Sequence, residues 1–311
     1  MNKVLLYYPK VSSEKEANDL YVGVPLSVMT LAAQLDPEQY DVKIIDGRLN
    51  KYYEIMDLSE WMSTDLVMVG ISAMTSYQIY DGLQFSKWLR DNMPCIPIVW
   101  GGWHASLMPE QTICHPLVDF IMLGQGEYLL PDLLMALEGK KDLSDVPNLI
   151  YKDQNGNVVA TQNIPAASLQ QYQSIIHADK YVDIEKYIGP LWRHNRVLGY
   201  ESSRGCPWHC KYCSIGSIYN RKWNALSPER MINDIKYYKD RYSIDAIHFY
   251  DNNFFVDKKR VASFCERLIN SQMHISWDGT CNVEQFLSFS DEFMHLLKKS
   301  GFFRVIIGRI R

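Results

Sequence analysis

Short apolar runs alternate with amphipathic stretches over the first 140 residues, and the alternation predicts strands separated by helices. The strand candidates are Lys3–Tyr8, Asp41–Asp46, Asp65–Ser72, Ile96–Gly101 and Val118–Leu123, each rich in Val, Ile, Leu or Met. Helix-length segments fall at Pro25–Leu35, Tyr52–Met62, Tyr77–Arg90, Leu107–Cys114 and Glu127–Leu137. Near-continuous apolar strands alternating with helices imply a parallel sheet covered on both faces. The fold class is therefore α/β, beginning with a doubly wound, Rossmann-like, five-stranded parallel sheet whose ligands are expected at the carboxyl ends of its strands.

Beyond residue 140 the periodicity loosens. Asn148–Lys152 and Asn157–Thr161 flank Asn155-Gly156, a strong hairpin signal. Tyr181, Tyr187 and Trp192 are expected to pack across a domain boundary. Strands resume at Arg196–Ser202, Ala246–Tyr250, Ile275–Gly279 and Phe302–Gly308, and Ser227-Pro228-Glu229 reads as a capped helix start. The domains expected are 1–140, a connector with a hairpin at 141–195, and a second strand-and-helix domain at 196–311.

Candidate chemistry is concentrated in Gly205-Cys206-Pro207-Trp208-His209-Cys210-Lys211-Tyr212-Cys213. Three thiols, four and then three residues apart in a loop opened by Gly205 and Pro207, can converge on one metal centre. Thiolates select soft, sulfur-rich sites, and an iron-sulfur cube on three cysteines leaves one iron for an outside ligand. Spacing alone also allows cysteines packed as small apolar groups, or a structural zinc with a fourth ligand such as His209. Zinc sites usually come as paired Cys-x-x-Cys knuckles, whereas Cys95, Cys114, Cys265 and Cys281 are solitary. Cys265 recurs with Val261, Phe264 and Leu268 at helical spacing and reads as core, and Cys281 as a loop position.

The strand ends are the second candidate. Gly70-Ile71-Ser72-Ala73-Met74-Thr75, Gly101-Gly102-Trp103-His104-Ala105-Ser106 and Gly124-Gln125-Gly126-Glu127 follow three neighbouring strands. Glycines there let a flat ligand approach the backbone, and Ser72 and Thr75 offer hydroxyls. Tight turns in a generic mononucleotide fold are the other reading. Asp46-Gly47-Arg48 ends the second strand, but no Gly-x-Gly-x-x-Gly follows the first, so nicotinamide binding is set aside.

The Cys-x-x-x-Cys-x-x-Cys spacing, with Tyr212 before the last cysteine, resembles the radical SAM superfamily. Ser72-Ala73-Met74, the phrase Gly101-Gly102-x-His104-Ala105-Ser106 and Gly124-x-Gly126-Glu127 are similar to the cobalamin-binding domain that precedes many radical SAM domains. The resemblance implies a [4Fe-4S] cluster on Cys206, Cys210 and Cys213 and S-adenosylmethionine on its open iron. Tyr212 is then expected near the adenine, and Asp251 and Asn252, after the strand Ala246–Tyr250, near the adenosylmethionine. Asp251 as a mere turn cap stays open. For cobalamin the resemblance implies contacts from Ser72, Met74 and Thr75, from Gly101, Gly102, Trp103 and His104, and from Gly124, Gly126 and Glu127. The loop Pro9–Glu14 lacks the Asp-x-His-x-x-Gly of domains that supply a lower ligand, which implies base-off binding without histidine, with His104 as a tail contact.

The activity implied is methyl transfer to an unactivated carbon, through a 5'-deoxyadenosyl radical and methylcobalamin. Radical cyclisation or oxidation by the same superfamily, and a cofactor-binding fragment without turnover, are the alternatives. A small-molecule substrate and a low-potential electron donor such as flavodoxin or ferredoxin are the implied partners. Only about 105 residues follow Cys206, room for four strand-helix units where the family's partial barrel has six, so a barrel truncated at its C-terminus is expected.

Composition narrows the picture further. A length of 311 residues suits two domains, and 47% hydrophobic with 22% charged residues suits globular cores. A net charge of −4 gives no nucleic-acid footprint. No run approaches the ~18 apolar residues of a membrane span, and the N-terminus lacks a signal peptide's long apolar region. Seven cysteines, odd in number and clustered at one loop, suit a reducing cytoplasm.

Overall fold

The computed structural model describes residues 1–13, 22–50, 58, 60–62 and 64–308. These fall into two compact units. The first holds residues 1–13 and Ser27–Ala167 with a short return at His177–Val182, and the second holds residues 22–26, Ser168–Ile176 and the chain from Asp183.

In the first unit β1 (Asn2–Tyr8), β2 (Tyr40–Asp46), β3 (Leu66–Ser72), β4 (Ile98–Gly101) and β5 (Phe120–Met122) pair in parallel in the order β2-β1-β3-β4-β5. The central strands are buried on both faces; Val4, Leu5, Leu6, Val69 and Ile98 are each 1% exposed or less. The order reverses between β1 and β3, which makes the carboxyl ends of these strands the ligand crevice of such a sheet. Helices Leu26–Ala32, Tyr77–Asn92 and Leu130–Leu137 match three expected ones. The expected helix Leu107–Cys114 is Pro109–Cys114, preceded by a separate short helix, Gly102–Leu107, where only a strand end was expected. Pro109 cannot donate a backbone hydrogen bond, so the first helix stops before it and the second starts on it. Of the helix expected at Tyr52–Met62, residues 52–57 and 59 lie outside the described residues, as do Glu14 and residues 309–311.

The hairpin assigned to the connector belongs to this sheet. β6 (Leu149–Lys152) pairs antiparallel with β5, and β7 (Val158–Ala160) with β6, so the sheet has seven strands. An uncovered β5 would be a bare edge, and Leu149 and Ile150 bring the apolar side chains that cover it.

The second unit is a five-stranded sheet in the order β14-β13-β12-β9-β8, parallel except for β8. Its strands are β8 (Gly189–Leu191), β9 (His194–Tyr200), β12 (Ala246–Phe249), β13 (Ser276–Asn282) and β14 (Phe302–Gly308). Between β9 and β12, the short strands β10 (Ser203–Gly205) and β11 (Trp223–Ala225) form an antiparallel ribbon. Phe249, Phe254, Phe264, Trp277 and Phe302 pack between sheet and helices, with ring centroids 4.4 Å apart for Phe249–Phe254 and 4.6 Å for Trp277–Phe302. Such aromatic pairs add about 0.5–1.5 kcal/mol each beyond their buried area. Ser227 caps the helix Pro228–Tyr242 by accepting from the Arg230 N–H.

The sheet curls. A flat five-stranded sheet would hold its edge strands about 19 Å apart at ~4.8 Å per strand, yet Trp192, which follows β8, stacks on Arg304 of β14 at 4.4 Å. This is a partial barrel. Trp192 is 71% exposed and has this partner within its own unit, whereas Tyr187 is buried. Cys265 is core, as expected. Cys281 is not a loop residue: β13 runs on to Asn282 because β14 pairs along its whole length, and burial pushes the Cys281 thiol up to about 12. Among the described residues no helix is long and apolar enough to cross a membrane.

Candidate functional site

The cysteine loop hangs between β10 and β11. Gly205, the last residue of β10, has φ +81 and pairs with Trp223, and a Cβ on it would lie 2.0 Å from the Lys222 carbonyl oxygen. Only glycine fits this corner. Cys206 and Cys210 are half-buried and Cys213 is exposed, and the Cys213 N–H donates to the Cys210 carbonyl at 3.1 Å. Burial pushes the Cys206 thiol up. Hydrogen bonds from the Trp208 backbone and the Asn253 side chain oppose this, while Cys210 and Cys213 add to it electrostatically, which places the three thiols in one neighbourhood.

Among the described residues no three His, Cys, Asp or Glu side chains are grouped to hold a metal ion. One zinc ion would need four donors drawn tightly around it. A cube takes one thiolate on each of three irons and so needs three such donors, the number this loop supplies. The loop also carries a buried indole N–H, Trp208 Nε1, with no acceptor among the described residues. Cluster sulfur is an acceptor of the right kind, and the residues present fit a thiolate-held cluster.

Asp251 and Asn252 face the loop's root. Asp251 is 1% exposed and accepts from the Ser202 N–H and hydroxyl, both at 2.7 Å, and from the Ser203 hydroxyl at 2.5 Å. Arg260 reaches the other side of Ser202, donating through Nη2 to its carbonyl at 3.0 Å and its hydroxyl at 2.8 Å. Both carboxylate oxygens of Asp251 are thus engaged in tying the end of β12 to the junction between β9 and β10. Asn252 Oδ1 accepts the Gly205 N–H at 2.9 Å. These two side chains position the loop, and it is Asn253, not singled out in the sequence, that meets Cys206. Tyr212 is 65% exposed.

In the first unit the ends of β3, β4 and β5 are laced together. The Ala73 N–H donates to the Gly101 carbonyl at 3.1 Å and the His104 N–H to the Ala73 carbonyl at 3.0 Å. Ser106 Oγ donates to the Gly102 carbonyl and accepts from the Gly124 N–H. Thr75 Oγ1 lies 3.1 Å from His104 Nδ1, and burial lowers the His104 pKa. Ser72 bonds the Ser27 hydroxyl at 2.9 Å; Ser27 carries no signal in the sequence, whereas Ser106 closes the Gly101-Gly102-x-His104-Ala105-Ser106 phrase. Trp103 is half-buried, and Met74 is 47% exposed. A Cβ at Gly124 would meet nothing within 4 Å, and one at Gly101 only the Met122 carbonyl at 3.8 Å. That open backbone fits a flat ligand. Gly126 and Glu127 differ: a Cβ at Gly126 would strike Met122 and Leu31, and Glu127 is buried.

Gly102 has φ +86, and its Cβ would lie 2.9 Å from the Ala73 carbonyl oxygen. Gly102→Ala is expected to cost ~1–3 kcal/mol and to loosen the β3–β4 edge. A thermal melt unchanged from wild type would refute this.

An open glycine edge on one sheet and a three-thiol loop on a curled parallel sheet define a two-domain α/β protein built to hold cofactors. The chain belongs to the B12-binding radical SAM proteins: residues 17–134 match the B12 binding domain and residues 200–308 the radical SAM superfamily. It is 30% identical over 312 residues to an uncharacterized methyltransferase of Pyrococcus horikoshii, covering 98% of this chain and 65% of that protein. It is 25% identical over 292 residues to the anaerobic magnesium-protoporphyrin IX monomethyl ester cyclase of Synechocystis, covering 91% and 56%. The chain therefore spans less than two thirds of the length of these curated relatives. In fold it matches the radical S-adenosylmethionine methyltransferase TsrM of Kitasatospora setae, solved with cobalamin and a [4Fe-4S] cluster, at TM-score 0.76 and 16% identity over 99% of this chain and 59% of that one. The cobalamin-dependent radical enzyme OxsB, solved with aqua-cobalamin and S-adenosylmethionine, gives 0.77 and 20% over 99% and 44%.

Proposed function

We propose that this chain is the cofactor-bearing part of a cobalamin-dependent radical SAM methyltransferase acting on an unactivated carbon of a small molecule. The observation that carries the reading is the presence in one chain of the open Gly101–Gly124 edge in a B12-binding domain and the Cys206–Cys213 loop in a radical SAM domain. Cys206, Cys210 and Cys213 would hold the cluster, Tyr212 would lie beside the adenine of S-adenosylmethionine, and the ends of β3 to β5 would hold cobalamin. When bound, these cofactors supply a substrate radical and the methyl group it takes up. The chain's own residues do the placing: Asn252 fixes the root of the loop, and Asp251 with Arg260 fixes the strand that delivers it. The loop after β1 offers no histidine among its described residues, and its backbone is tied down by Gln78 at Pro9 and Asp81 at Lys10, which supports cobalamin bound without a protein lower ligand.

The cobalamin domain is taken as 1–140 and the radical SAM part as 196 onward, with 141–195 between them lending its hairpin to the first sheet. A low-potential flavodoxin or ferredoxin in the cytoplasm would supply electrons. The test is anaerobic reconstitution with iron, sulfide and hydroxocobalamin, followed by desalting. Cluster absorbance and corrin bands are expected together; retention of only one would end the two-cofactor reading. The Synechocystis relative favours cyclisation as a second reading. Passage of label from S-[methyl-13C]-adenosylmethionine to cobalamin is expected for methyl transfer, and no labelled cobalamin for cyclisation.

A further inference from the structure

His248, Asp278 and Arg304 stand at one level on three neighbouring parallel strands. His248 is opposite Asp278 in the β12–β13 ladder, and Asp278 is opposite Arg304 in the β13–β14 ladder. Their neighbours Phe249 and Trp277 pack on Phe264 of the helix Lys258–Asn270, with ring centroids 5.8 and 5.4 Å away. Alternate residues of a strand point to opposite faces, so the three polar side chains lie on the inner face of the curled sheet. A register shift brings this about. Phe302 is opposite Trp277 and Arg304 opposite Asp278, leaving Phe303 as an extra residue. Without this bulge Phe303 would face Asp278, and bulges of this kind re-aim side chains beside active sites.

Asp278 is fully buried and both its oxygens are used. Oδ1 lies 2.8 Å from His248 Nδ1, and Oδ2 accepts from Arg304 Nε at 3.0 Å and from Arg304 Nη2. A carboxylate shared with a guanidinium is an acceptor only, so His248 Nδ1 carries the proton that faces Asp278, and in the neutral ring Nε2 is the nitrogen left with the lone pair. The His248 side chain is 16% exposed, and the Tyr250 ring meets it edge-on at 4.7 Å. For stability alone this layer has no need of charge, because packed apolar residues commonly replace buried ion pairs without loss. What the ion pair adds is a fixed imidazole.

We propose that His248 is an acid–base residue that contacts the substrate, presenting Nε2 to a protic group such as a hydroxyl, amine or ring N–H. The proton passes from that group to Nε2, the electron pair stays on the substrate heteroatom, and the imidazolium is balanced by Asp278. The proposal names the substrate class for the function proposed above and rests on that function, but its test does not use the cofactors. The full chain, labelled with [15N]histidine, is titrated with phenol and, separately, with toluene, which has the same shape without the acidic proton. The expected result is a His248 signal of the Nδ1–H tautomer whose Nε2 resonance shifts saturably with phenol and stays put with toluene. Asp278→Asn is expected to lose the tautomer preference. His248→Asn keeps a donor for Asp278 and is expected to melt within a few degrees of wild type, while removing the phenol response. A protonated Nε2, or an Nε2 that answers both probes or neither, would overturn the proposal. Failure of the reconstituted protein to cleave S-adenosylmethionine would count against the proposed function and leave the phenol result standing.

Discussion

Gly205→Ala is expected to abolish iron binding and to open the ribbon that carries the cysteine loop. A left-handed conformation costs a residue with a Cβ roughly 1–2 kcal/mol, and here the methyl would also sit 2.0 Å from the Lys222 carbonyl oxygen. That neighbour is backbone and cannot rotate away. Relief requires Gly205 to leave its pairing with Trp223, which moves Cys206 and breaks the Gly205 N–H bond to Asn252. The measurement is iron per chain after anaerobic reconstitution, paired with a urea denaturation curve. Cys210→Ala is the control: it should lose iron with little change in the curve, since Cys210 is only half-buried in a loop. A Gly205→Ala protein with full iron and a wild-type curve would show that the loop is not held from this corner.

The parallel strands were legible because burial on both faces makes them near-continuous apolar runs, and the cysteine loop because metal-binding spacing is local. What escaped depends on partners distant in the chain. β10 and β11 are three residues each, too short to carry a pattern, and exist because the corner at Gly205 folds one onto the other. The hairpin was visible from Asn155-Gly156, but its partner β5 was not, since edge pairing leaves no periodicity of its own. Asp251 and Asn252 were placed at the correct strand end, yet one turns back to Ser202 and the other to Gly205, while the next residue, Asn253, takes the place at Cys206. The bulge that aligns Arg304 with Asp278 is a property of the ladder between two strands and is silent in either strand alone.

Asp251→Ala is expected to destabilise the second unit by ~3–5 kcal/mol, the usual cost of removing one partner of a buried charge pair. Three donors, the Ser202 N–H and the Ser202 and Ser203 hydroxyls, lose their acceptor, and the buried Arg260 loses its counter-charge. Asp251→Asn keeps the shape and an acceptor oxygen and should cost less. Acid titration separates the two contributions. Burial is the largest influence on the Asp251 carboxyl and raises it above 3.8, against the lowering by Arg260 and the two serines. A carboxyl raised on folding contributes stability that is fully present below its unfolded value and is lost as pH rises through its folded value. Wild type should therefore gain on Asp251→Asn as pH falls through that window, and the stability gap between them should widen. Urea denaturation at neutral and mildly acidic pH reads it directly. A gap that narrows on acidification would mean that Arg260 and the serines outweigh burial, with Asp251 held ionised as the anchor of the strand that delivers the cysteines.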